Sequence, residues 1–166
     1  LGKSQTSGAS TRTGCMMSNP VVTALERRAE IQRRAHAIGI DEAYVSLLVD
    51  EFYRRVRLDR TLGPIFEAAI GDRWDHHLPR MKSFWASVAL NTGSYSGQPV
   101  PAHRKLTDVE KSHFGIWLAL FRQTLEDTAA TPEAVAYFME RAERIAESLQ
   151  LAMFGFPGLP RRPGSL

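Results

Sequence analysis

Between residues 45 and 56 the apolar side chains fall at Val45, Leu48, Val49, Phe52, Tyr53 and Val56, with polar residues between them. Spacings of three and four put these six on one face of a helix, and Asp41 stands where its N-cap belongs. The stretch Leu62-Gly63-Pro64-Ile65-Phe66 reads as a break that returns Ile65 and Phe66 to the core. A third helix is expected from Trp74 to about Leu90, with Trp74, His77, Met81, Phe84 and Val88 inward and His76, Arg80, Ser83 and Ser87 on a more polar face. Pro79 removes a backbone donor near its start, so the aim of His77 depends on how the first turn accommodates it. Phe114, Trp117, Leu118, Phe121 and Leu125 make the most apolar stripe of the chain. Thr131 as N-cap and Pro132 at the first helical position open a last helix, with Val135, Phe138, Ala142, Ile145, Leu149 and Ala152 inward and Gly155 as its end. Upstream, Thr23 to Ile38 carries a thin stripe of Leu25, Ala29, Ile31, Ala35 and Ile38 among arginines. It predicts a peripheral helix stopped by Gly39. No segment alternates with period two, and the fold class is all-α.

The segment from Gly93 to Trp117 is different in kind. Gly93, Gly97, Pro99 and Pro101 give it little helix periodicity, and it delivers one histidine, His103, before an apolar helix that begins near His113. Four main helices interrupted by a long helix-poor connection are unusual for a plain bundle, where links are short. Something should fill the space beside that segment.

Composition narrows the classes of function. The 166 residues suit one domain. Pattern and composition divide them into a disordered leader or start-site artefact (1–22), an N-terminal extension helix (23–40), a helical domain (41–155) and a flexible Pro/Gly-rich tail (156–166). The leader is Ser/Thr-rich but lacks the apolar centre of a secretory signal, and a transit peptide is the minor alternative. A lone cysteine, Cys15, excludes an intrachain disulfide and points to a reducing, cytoplasmic setting. The formal charge is +3, but Lys3, Arg12, Arg161 and Arg162 lie in the two ends, and without them the remainder carries −1. A phosphate-binding footprint for nucleic acid is therefore unsupported. No apolar run is long enough for a membrane span.

Three polar-tipped side chains, Tyr53, His77 and Trp117, fall on core-facing stripes, and His103 approaches from another side. Alone, Tyr53 and His77 each read more readily as a satisfied core residue. Together they are costly to bury unless one object satisfies them all. A haem carrying a diatomic ligand does so, with one histidine at the iron and hydroxyl, imidazole and indole groups on the opposite face.

The series LGPIF (62–66), Trp74 with His77 three residues on, FW (84–85), GxYxGQP (93–99), His103 and FxxWLxLF (114–121) resembles the group III truncated haemoglobins of bacteria. The resemblance runs from about Asp41 to Phe154. It implies a truncated globin, a two-over-two helical sandwich around haem b, with His103 as the proximal iron ligand. His113 is the rival, but His103 matches the family's ligand position after the proline of GQP. Tyr53, Trp117 and His77 correspond to the family's distal residues, Phe66 to the aromatic on the haem plane, and Met81 and Phe84 to further apolar wall. Arg80 suits a haem propionate at the rim, or else is a solvated arginine. Pro79 departs from the pattern and leaves two arrangements open: His77 facing the ligand, or shifted outward as a gate to solvent. The resemblance further implies oxygen, nitric oxide or another small diatomic as ligand, held tightly enough for nitric-oxide detoxification or peroxidase-like chemistry. An electron-donating reductase would be a separate protein, since no nucleotide fingerprint is present. The competing readings are a haem-based gas sensor or redox interaction module, and a cofactor-free helical interaction domain.

Overall fold

The computed structural model describes residues 20–155. The leader and tail expectations fall mostly or wholly outside them. Among the described residues seven α-helices follow one another: α1 (Pro20–Ala37), α2 (Glu42–Leu58), α3 (Leu62–Ile70), α4 (Trp74–Leu90), α5 (Pro99–Arg104), α6 (Lys111–Thr128) and α7 (Pro132–Phe154). No strand occurs among the described residues.

Helix α2 forms as its pattern dictates. The Asp41 side chain accepts from the Tyr44 N–H, and all six residues of the predicted stripe are buried. The LGPIF stretch does not stay irregular. It opens α3, because Pro64 lies in the first turn, where a helix needs no N–H from it. A Cβ on Gly63 would lie 2.9 Å from the Arg57 carbonyl oxygen, so only glycine lets α3 start this close to the end of α2. The connection to α4 is a short 3₁₀ turn, Gly71–Arg73.

Pro79 sits inside α4 without ending it. The predicted stripe of this helix is displaced: Trp74 is buried, while His77, Met81, Phe84 and Val88 are half-buried and the deepest residues are Trp85, Ala89 and Leu90. Trp85 stacks on Phe121 at 4.8 Å between ring centroids and packs on Phe138, joining α4 to α6 and α7. One side of α4 thus enters the core, and the stripe containing His77 lies at its margin.

The segment carrying His103 is also corrected. Pro99 and Pro101 do not keep it a loop; their fixed φ suits the first turn of a helix, and they start α5. Helix α6 begins at Lys111, ahead of His113. In α7 the Thr131 hydroxyl accepts from the Ala134 N–H, with Pro132 next, as the sequence predicts. Helix α2 packs on α4, α6 on α7, and α2 on α6, so that two helices lie on two.

Helix α1 packs on α4. Gln32 donates to the Leu90 carbonyl at the end of α4, and Thr131 donates to the Ile38 carbonyl. Its stripe is thinner still than expected, with Leu25 59% exposed and Ala35 fully buried. Gly39, at φ 87°, closes it.

Apolar burial divides in two. A large cluster joins α2, α3, α4, α6 and α7 around Phe52, Trp85, Phe121 and Phe138. A small one, Phe114, Ala146 and Leu149 with Val100, Val109, Met153 and Phe154 against it, sits where α5 meets the start of α6 and the end of α7. Leu118 and Ile145 touch both.

Candidate functional site

On the first side of the site stands Tyr53, 5% exposed, at the inner face of α2. Its ring is ringed edge-on by Phe52, Phe66, Trp74 and His77, at 5.2, 6.0, 6.0 and 5.4 Å between centroids. Its hydroxyl makes no hydrogen bond among the described residues. Burial first, and then the phenol of Tyr95, push its pKa well up, so it stays a protonated donor.

His77 is turned in, not out. Its Nε2 is buried and has no hydrogen-bond partner among the described residues. Of the two arrangements that Pro79 left open, the outward shift does not occur: α4 opens through the 3₁₀ turn and its first residues already follow the helical path. Burial lowers the His77 pKa to about 4, and the positive fields of Arg80, His103, Arg73 and His76 add to this, largest first. The imidazole is neutral at ordinary pH. His103, on α5, is thus close enough to act on the charge of His77, on α4.

Trp117 packs edge-on to Phe52 at 5.4 Å and stacks on Phe121 at 5.4 Å with 9° between planes. Its indole N–H has no partner among the described residues. Phe66, Met81, Phe84 and Trp117 are all half-buried and lean on the large cluster. Phe84 also meets the ring of Tyr95 at 5.1 Å. Arg80 is exposed and forms no ion pair among the described residues. It borders a cleft with His76, Ser83, Ser94, Tyr95 and Gly97.

The two candidate histidines differ in their hydrogen bonds. His103 Nδ1 lies 2.7 Å from the Pro99 carbonyl oxygen. A carbonyl only accepts, so Nδ1 carries the proton and Nε2 of the neutral ring presents a lone pair. That is the tautomer a metal ligand needs, with its other nitrogen already anchored. His113 is the reverse. Its Nδ1 accepts from the Glu110 N–H at 3.0 Å, and the Glu110 side chain accepts from the His113 backbone, a reciprocal cap at the start of α6. Its ring is committed to the helix end. The Glu-x-x-His spacing carries this signal in the sequence, and pattern reading missed it. Behind His103, Arg104 donates to the Ala152 carbonyl at 3.1 Å, tying α5 to the last turn of α7.

The donor set fits a flat apolar group with a metal at its centre. An imidazole lone pair is available on α5; an orphaned imidazole nitrogen, a phenol and an indole N–H come from α4, α2 and α6; Phe66, Met81 and Phe84 add aromatic and thioether surface. Groups of three or more His, Cys, Asp or Glu able to hold a bare metal ion are absent among the described residues.

No family model matches the chain. The group 3 truncated hemoglobin of Campylobacter jejuni is 34% identical over 122 residues, which cover 72% of this chain and 95% of that protein. The crystal structure of the group III truncated hemoglobin from the same organism matches with a TM-score of 0.67 at 34% identity, over 72% of this chain and 96% of that one. Sequence identity, share of length and helical architecture agree, and the chain belongs to the group III truncated haemoglobins.

Proposed function

We propose that this globin binds haem b through His103 and uses its buried polar side chains to retain oxygen or nitric oxide for reaction, not for transport. The observation that carries the reading is the opposed hydrogen bonding of the two histidines: His103 holds a free Nε2 lone pair, whereas His113 is spent on a helix cap. Ferrous haem, when bound, supplies a metal centre that binds diatomic gases. Everything else is the work of side chains.

Phe66, Met81 and Phe84 exclude water from the pocket, and Arg80 meets a propionate at the rim. Tyr53 and Trp117 offer an O–H and an N–H with no protein acceptor, and neutral His77 offers a third polar group. A donor placed in dry surroundings contributes about 1–3 kcal/mol to holding a ligand with partial negative charge. Two such donors, acting independently, slow release by about 30-fold to 20,000-fold, at about 1.4 kcal/mol per factor of ten. A carrier needs faster release. Retention suits oxidation of nitric oxide or activation of a peroxide, with electrons returned by a separate reductase.

A visible absorption scan of the purified chain, with haem titrated into the haem-free form, tests this. A one-to-one complex with the spectrum of a histidine-ligated haem is expected. A chain that stays colourless and takes up no haem sinks the reading.

A further inference from the structure

Trp74, the first residue of α4, borders the pocket without offering it a polar group. It is 7% exposed, and its indole is tied down on three sides. Its Nε1 donates to Glu67 Oε2 of α3 at 3.0 Å, and the Arg57 guanidinium of α2 lies 4.9 Å over its ring. Its third contact is with the pocket. Trp74 meets Tyr53 at 6.0 Å and 65°, meets His77 at 5.8 Å and 87°, and those two meet each other at 5.4 Å and 88°. Three rings, each edge-on to the other two, form a closed set in which turning one spoils two contacts.

Neither His77 nor the Tyr53 hydroxyl has a hydrogen bond among the described residues, so ring packing is what orients both. Of the three rings, Trp74 alone is anchored by a hydrogen bond, and its anchor is an exposed carboxylate. We infer that Trp74, fixed by Glu67, is a positioning residue that sets the aim of Tyr53 and His77 and so the rate at which the pocket releases a gas. This rests on the haem-globin reading above.

The test uses Glu67→Ala, Glu67→Gln and Trp74→Phe in the full chain, with Tyr53→Phe as reference. Glu67 is exposed, so its variants keep the fold even where Trp74→Phe does not. Carbon monoxide serves as the probe for pocket polarity, read from its C–O stretching frequency in the reduced, haem-loaded protein, alongside oxygen release. Glu67→Ala and Trp74→Phe should shift or broaden the C–O band and speed release by about 2- to 10-fold, the effect of one lost aromatic pair. Glu67→Gln keeps an acceptor oxygen and should restore both. In the haem-free protein the Trp74 indole N–H resonance should move in Glu67→Ala and return in Glu67→Gln. If Tyr53→Phe changes the band and the rate while Glu67→Ala leaves both as in the wild type, the inference is overturned and the gas-binding reading stands. If Tyr53→Phe changes neither, Tyr53 has no part in retaining the gas, and the inference falls while haem and gas binding stand.

Discussion

Replacing Tyr53 by Phe removes one oxygen atom from the middle of an aromatic cage and leaves the ring contacts with Phe52, Phe66, Trp74 and His77 in place. The consequences for the haem-free and gas-loaded proteins have opposite signs. In the haem-free protein the hydroxyl has no acceptor among the described residues, so its loss breaks no bond and lightens the cost of burying a polar group. Unfolding by urea should show stability unchanged or raised by up to about 1 kcal/mol. On the proposed function the same oxygen is a donor in the gas-loaded protein, and its loss should forfeit about 1–3 kcal/mol. Stopped-flow displacement of oxygen should then be about 5- to 150-fold faster, at about 1.4 kcal/mol per tenfold. Because burial pushes the phenol pKa up, the difference should be flat through neutral and mildly alkaline pH. An unchanged release rate would remove Tyr53 from the pocket chemistry. A haem-free variant weakened by more than about 1 kcal/mol would show that the hydroxyl serves the fold.

Three further outcomes are expected. His103→Ala should abolish the histidine-ligated haem spectrum, whereas His113→Ala should keep the spectrum and cost about 0.5–2 kcal/mol of stability through the lost cap on α6. Below pH 6.5 the unfolded chain protonates His77 while the folded chain does not until about pH 4. Haem-free stability should therefore fall as pH drops through that window, and His77→Phe should lose part of that slope; the wild-type contribution is below about 1.4 kcal/mol per pH unit because the ring is only partly shielded. Gly63→Ala drives a methyl onto the Arg57 carbonyl and should lower the melting temperature, whereas Gly115→Ala, with open space around it, should not.

How much of this could be read from the chain alone follows from what each signal depends on. The stripe and cap of α2 and the Thr131–Pro132 start of α7 are set by neighbours in sequence, and both appear where the pattern puts them. Helices α3 and α5 were not legible, because proline and glycine mark a first turn and a break with the same letters, and packing chooses between them. The rotation of α4 that buries Trp85 and leaves the His77 stripe at the margin depends on Phe121 and Phe138, more than thirty residues away. Likewise, the family motif singled out His103 over His113, but the reason lies in which backbone group each ring meets. The anchoring of Trp74 by Glu67 spans a turn and a helix start, a separation that no periodicity reports.

The small apolar cluster at the end of α7 has a bearing on how the molecule breathes. Phe114, Ala146 and Leu149 are few, and α5, six residues long, cannot persist without them and the Arg104 bond to Ala152. Sub-global opening should start at that end while the Phe52–Trp85–Phe121 body stays closed, so amide exchange in α5 and the last turns of α7 outruns that in α2. The weakest cooperative unit of the chain is then also the one that carries His103, the imidazole proposed to hold the iron, and on that proposal cofactor loss should follow local melting there and not global unfolding.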